Sequence, residues 1–295
     1  MSVSTSKATQ RPSSQRTIPV RRLDVDLRSV DVDRWIVEDD PIFSHFVATL
    51  SAVFPRGEEF FVTTVREHRH VVEGDPVLKA QVKGFIGQEA MHGREHRRLN
   101  ERLAELGYYT PEAERSMDRA VRFVLRLRPR TLPLAVTAAA EHLTGVFAEV
   151  ALGHQPSREL LFSHPDVQAL VTWHALEELE HKNVAFDVLQ RAGGGYAVRV
   201  AGFGVLMGAL AGSVIGSWMR ARFRDRRFIG REGRRRFTQH LPQQRLISLW
   251  ALRRVFGYLR PGFHPDDTNT DELVREWRER LAGQVTETAG LKRTA

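Results

Sequence analysis

A chain of 295 residues is long enough to bury a full core and carry an appendage, and 42% hydrophobic with 27% charged residues describes a folded, mostly helical protein rather than a disordered or fibrous one. The absence of cysteine excludes disulfides, thiolate zinc sites, cysteine-bound iron–sulfur clusters and cysteine nucleophiles, which leaves His, Asp and Glu for any metal. The net charge of +8 is uneven: residues 1–22 carry +5, residues 220–236 carry +7 and residues 237–295 carry +2, so residues 23–219 are acidic at −6.

Residues 1–22 are rich in Ser, Thr and Arg and hold no hydrophobic run that could serve as a secretory signal, which predicts a disordered basic arm on a cytoplasmic protein. Residues 23–195 read as a helical bundle. Two long helices run from about Pro41 to Leu106, divided by Glu73-Gly74-Asp75-Pro76, and so short a loop makes them antiparallel neighbours. Gly107 suits a C-cap, and a less regular stretch with Pro111, Pro129 and Pro133 follows. A third helix is expected from Pro133 to Leu152, ended by Gly153, and a fourth from Pro165 without a break to Arg191, ended by Gly193 to Gly195. Four long helices with one longer crossover predict an all-α four-helix bundle with a C-terminal helical extension.

That extension begins with residues 196–237. From Val200 to Met219 no residue is charged, a length of about 30 Å as a helix. Gly204, Gly208, Gly212 and Gly216 recur every four residues and form a flat strip on which another helix, or a second copy in a homodimer, could pack. Trp218 sits where an interfacial anchor would, and Arg220, Arg222 and Arg224 open an arginine block. A buried or substrate-channel helix is the first reading. Peripheral or monotopic docking on an anionic inner-membrane surface is the second, and a true span the third. Nucleic-acid binding is not expected, since no reading motif accompanies the basic charge. Residues 238–295 supply C-terminal helices, the last an amphipathic one from Asp271 with Leu273, Trp277 and Leu281 facing the bundle.

Three Glu-x-x-His strings occur, Glu67/His70, Glu89/His92 and Glu178/His181, where chance gives roughly one. Residues three apart on a helix project from the same side, so such a pair can hold one metal ion. Glu89/His92 and Glu178/His181 lie at matching depth in the second and fourth helices. A dinuclear site also needs one carboxylate from each remaining helix at that level. Glu59 and Glu89 lie at nearly equal distances either side of the turn at Gly74, and Glu141 matches Glu178 across the other pair. Glu67 lies too near the turn, and Glu149 two turns too low. The expected ligand set is Glu59, Glu89, His92, Glu141, Glu178 and His181, holding two divalent ions, iron first and manganese or zinc as alternatives. His96 and His174, each one turn away, are extra ligands or residues that orient one. Glu95, Glu177 and Glu180 are expected to face solvent or neighbouring helices, and His142 to point away.

The strings GEEFF (57–61), FIGQEAMHGREH (85–96), AAAEHLTG (138–145), WHALEELEHKNVAFDV (173–188) and YLRPGFHP (258–265) resemble the bacterial family of predicted metal-dependent hydrolases, within the ferritin-like superfamily of dinuclear carboxylate proteins. The resemblance covers roughly residues 20–285. It implies a ferritin-like bundle in which Glu89 and Glu178 bridge two metals and Glu59 and Glu141 are terminal carboxylates. Three functions are in view. The first is oxygen-dependent oxidation of a lipophilic small molecule at a di-iron centre. The second is hydrolysis by a metal-activated water, as the family label suggests, and the third is non-enzymatic metal binding or a membrane-associated role.

Overall fold

The computed structural model describes residues 17–28, 30, 36–37, 39–225 and 230–288, apart from the side chain of Arg222. A short strand β1 (Arg21–Leu23) leads into the long helices α1 (Pro41–Glu67) and α2 (Pro76–Glu105), which are joined through a 3-10 turn at Arg69–Val72. Then come α3 (Thr110–Val124), α4 (Thr131–Gly153), the short α5 (Gln155–Leu161), α6 (Pro165–His181) and α7 (Val184–Arg191). The extension contains α8 (Tyr196–Leu210), a π-turn at Ala211–Ile215, α9 (Gly216–Arg224), α10 (Arg231–His240), α11 (Leu249–Gly257) and α12 (Asp271–Leu281). It ends on β2 (Val285–Glu287), which pairs antiparallel with β1.

The helix starts are written in the sequence. Asp40 and Asp75 each accept two backbone N–H groups at the first turns of α1 and α2, and His164 accepts one at α6; a proline follows each cap, where its missing N–H costs nothing. α1, α2, α6 and α4 form a closed ring, each packed on two of the others. Their apolar faces make two separate clusters. One gathers Phe43, Val47, Leu99, Trp173 and Leu176, and the other Phe60, Val82, Phe85, Leu134 and Val184. Between these apolar halves lies a single layer of buried acids and imidazoles.

Four expectations need correction. The stretch after Gly107 contains the full helix α3, whose Pro111 sits in the first turn, where proline starts rather than breaks a helix. The fourth helix is interrupted at Lys182 and Asn183, directly after His181, and resumes as α7; Lys182 Nζ reaches across to Thr268 O at 2.6 Å and Thr270 Oγ1 at 3.1 Å. The basic arm is not wholly detached. Residues 1–16 lie outside the described residues, but Gln88 donates to Pro19 O and the Arg21 side chain is buried. Lastly, the glycine strip is not where α8 packs. At Gly204, Gly208 and Gly212 a Cβ would meet nothing within 4 Å, whereas at Gly202 it would fall 2.6 Å from Ala135 Cβ and 2.7 Å from the Ala135 carbonyl carbon on α4. Gly202→Ala is therefore expected to destabilise the fold by about 1–3 kcal/mol. Gly204→Ala should be neutral or stabilising by up to about 1 kcal/mol, and paired thermal melts read both.

Two helical stretches, Thr131–Gly153 and Tyr196–Ala221, are long and apolar enough to cross a membrane by length and composition. The first is a core helix, with 78% of its apolar window buried, against 33% for the second. Trp218 is docked on the bundle, its indole N–H donating to Ile42 O at 3.0 Å and its ring edge meeting Phe46. Arg220 bonds Ser217 Oγ, and Arg224 pairs with Glu112 and lies over Tyr109. The side chain of Arg222 lies outside the described residues.

Candidate metal centre

The buried layer brings together Glu89, His92, Glu141, Glu178 and His181, all of them expected from the sequence. It leaves out Glu59. That side chain is 50% exposed and paired with Arg56 and Arg97 on the surface. Its neighbour Glu58 is 1% exposed and takes the place expected for Glu59. One residue changes height by only about 1.5 Å but direction by about 100°, so counting residues from the turn could not separate the two. The signal was the stripe Ser51, Phe54, Glu58, Phe61 and Val65 at three- and four-residue steps. Gly93 on α2 makes room opposite, since a Cβ there would fall 2.9 Å from Glu58 Oε2.

Ligand atoms converge in three overlapping groups, each within 4.8 Å: Glu58, His92 and His174; Glu89, His92 and Glu178; Glu89, Glu141 and His181. Both carboxylate oxygens of Glu58, Glu89 and Glu141, together with His92 Nδ1 and His181 Nε2, are buried without a hydrogen-bond partner. A buried polar atom left unpaired costs about 1–3 kcal/mol, and more if charged. Eight such atoms facing one another fit divalent cations, which would satisfy them all. The oxygen and imidazole donors suit zinc, manganese or iron.

Hydrogen bonds behind the layer fix which nitrogens face inward. Nδ1 of His181 lies 3.0 Å from Gln88 Oε1; an amide oxygen only accepts, so Nδ1 carries the proton. Nε2 is then a lone-pair donor, 3.2 Å from Glu89, 3.3 Å from Glu141 and 3.5 Å from Glu178. His92 Nε2 meets Glu177 at 2.9 Å, which turns Nδ1 toward the layer. Glu177 and Glu180 face neighbouring helices rather than solvent and are fully buried, and β1 supplies the reason. Arg21 bonds Glu177 at 3.0 Å and Glu180 twice at 2.8 Å, while Gln88 and Arg278 also bond Glu180. Glu95 is buried as well, clasped by Arg94 and Arg98.

His174 is oriented by a chain of bonds that begins at a proline. Pro55, inside α1, has no N–H for the carbonyl of Ser51, and Asn100 Nδ2 donates to that carbonyl at 3.0 Å instead. This fixes the amide, so Asn100 Oδ1 accepts from Ser51 Oγ at 2.7 Å. Ser51 Oγ must then accept from His96 Nδ1 at 2.9 Å, and His96 Nε2 accepts from His174 Nδ1 at 2.9 Å. Nε2 of His174 is left facing Glu178 at 2.9 Å and Glu58 at 3.8 Å. Of the two extra histidines, His174 reaches the layer and His96 orients it. His142 turns away, bonding Arg254 O beneath the Tyr258 ring. Glu67 is 41% exposed and paired with Arg130.

Burial and the charge of Glu178 push the Glu141 carboxyl up to about 7. Burial, with neighbouring carboxylates, also raises Glu58 and Glu89 well above the usual range. Burial opposes a charge on His181, but Glu141 and Glu178 outweigh it and raise its value well above normal. Burial likewise opposes ionisation of Glu178, yet His181 and His174 together hold it low. Except for Glu178, these groups bind protons more tightly folded than unfolded. Their contribution to metal-free stability is full at low pH and is lost as pH rises, between about 4.5 and about 7 for Glu141. Metal must displace those protons, so occupancy runs the other way and falls on acidification. Melts of metal-free and metal-loaded protein should draw apart as pH rises through this range. A constant gap would contradict the proton competition.

An apolar cavity opens onto one side of the layer. Ser51, His96, Thr144, His174 and Glu178 form its polar edge, and Leu50, Phe54, Leu99, Phe147, Phe162 and Val171 line much of the remainder. Thr144 Oγ1 donates to Glu178 Oε2 at 2.5 Å.

A family model described as predicted metal-dependent hydrolase matches residues 19–269. No curated protein and no solved structure matches the chain.

Proposed function

As a chain that belongs to the family of predicted metal-dependent hydrolases, we propose that this protein holds two divalent ions between Glu58, Glu89, His92, Glu141, His174, Glu178 and His181 and hydrolyses a small, largely apolar substrate. The observation that carries this reading is the set of buried, unpartnered carboxylate oxygens and imidazole nitrogens of Glu58, Glu89, His92, Glu141 and His181, next to Glu178 and His174, which line an apolar cavity. Bound divalent ions supply a water made acidic enough to act as a nucleophile near neutral pH, and they polarise a carbonyl or phosphoryl oxygen. The chain's own groups do the rest. Gln88 and Glu177 hold the two Glu-x-x-His imidazoles, the chain from Pro55 to His96 holds His174, and Thr144 fixes Glu178 at the cavity floor. Phe54, whose ring meets those of His96 and His174, excludes bulk water from that side.

A second reading, oxygen-dependent oxidation at a di-iron centre, is favoured by the same cavity. Its wall is mostly aliphatic and aromatic, which suits a hydrocarbon better than the wet cleft of a loop-built hydrolase. Loading the anaerobically purified protein with zinc, manganese or ferrous iron separates the two. Turnover of medium-chain esters under argon with zinc or manganese supports hydrolysis. Oxygen uptake confined to the iron form, without ester turnover, would replace it by oxidation, and a chain that binds none of the three would overturn both.

A further inference from the structure

We infer that the cavity beside the cluster is the inner half of a two-chamber site for a linear aliphatic molecule with one uncharged oxygen function, and that Gln244 holds that function. The inference rests on the cluster being the reaction site and adds the shape and chemistry of what reaches it. The inner chamber is narrow, with a cavity volume of about 40 Å³, and a wider one of about 280 Å³ adjoins it. The two share Leu50, Phe54, Thr144 and Phe147, so they abut on a common wall of side chains whose rotation would join the outer chamber to the one that reaches His174 and Glu178.

The wall of the outer chamber contains no charged residue. Gln244 is in it, 4% exposed, and neither its Oε1 nor its Nε2 has a hydrogen-bond partner. An amide buried in an apolar wall with both ends unsatisfied carries a desolvation cost that leucine would avoid. A ligand recovers it by pairing with the amide. A hydroxyl can use both ends, an ester or aldehyde carbonyl the N–H end, and a carboxylate would find no cation in this wall. The α8–α9 π-turn contributes Val214 to the same wall, and π-turns recur at functional sites. Ile247, 60% exposed, marks the outer rim, with Leu249 and Leu252 exposed just beyond it. The part of the molecule that passes Phe54 and Phe147 is the part presented to Glu178.

The test uses the full chain and two probes of equal length, 1-decanol and 1-chlorodecane, each displacing a fluorescent apolar dye. The wild type should bind decanol about tenfold more tightly, equivalent to about 1.4 kcal/mol. Gln244→Leu should abolish that preference while keeping the chlorodecane affinity. Ala251→Trp, which fills the outer chamber, should weaken both probes at least tenfold with metal content unchanged. No preference in the wild type, a preference that survives in Gln244→Leu, or no binding of either probe would overturn the inference. Loss of the metal reading would show separately, as absent metal with alkyl binding intact.

Discussion

Glu89→Gln is expected to lower metal affinity by at least about a hundredfold, beyond the ~10–100-fold typical of residues that only orient a ligand, while leaving the metal-free protein as stable as before or more so. Glu89 belongs to two of the three convergent groups, and neither of its oxygens has a hydrogen-bond partner. Without metal, burial already drives its carboxyl toward the neutral form, which glutamine copies. With metal at about a thousand times its dissociation constant, the wild type should gain roughly 4 kcal/mol, and the variant should lose most of that gain. Melts with and without metal read both signs. An equal fall in the two conditions would mean that Glu89 is a structural residue.

Arg21→Met is expected to cost about 3–5 kcal/mol, the usual penalty for removing one partner from a buried ion pair. Arg21 compensates Glu177 and Glu180, both fully buried, from a strand outside the bundle. Arg278, the other cation on Glu180, is 40% exposed, so Arg278→Met should cost no more than about 1 kcal/mol. A second effect follows at the metal layer. Burial and Glu180 already push Glu177 up to about 8 against the pull of Arg21. Arg21 is what favours the ionised form; without it the carboxyl stays neutral over a wider pH range and accepts more weakly from His92 Nε2, and metal affinity falls by about tenfold or more. Urea unfolding and metal titration measure the two effects. Equal destabilisation by Arg21→Met and Arg278→Met would show that Glu177 and Glu180 are not held by Arg21.

The turn at residues 73–76, the prolines Pro41, Pro133 and Pro165 and the matched Glu-x-x-His strings made the ring of long helices and most of the buried layer readable from residue order alone. Those features are local or periodic, and helical geometry converts them directly into height. Direction around a helix is a finer quantity, and height alone does not separate Glu59 from Glu58. The burial of Glu95, Glu177 and Glu180 escaped for another reason. An acid reads as solvated unless its cation is known, and Arg21 lies 156 residues before Glu177. Sequence spacing carries no signal for such a pair. His174 stood out as a neighbour of the site, but its role depends on Pro55, Asn100, Ser51 and His96 acting in series, which only the packed helices reveal. The glycine repeat marks a face without saying what covers it, and within the chain nothing lies within 4 Å of a Cβ at Gly204, Gly208 or Gly212. The real close approach is at Gly202, off the repeat.

The decisive measurement is the metal content of the wild-type chain beside that of Glu58→Ala and Glu59→Ala, each equilibrated with the same divalent ion and desalted. Two ions per chain in the wild type and in Glu59→Ala, with fewer than two in Glu58→Ala, is the expected result. A wild-type chain that retains no divalent ion, or two variants that lose metal equally, would contradict the assignment of the buried cluster as a metal centre.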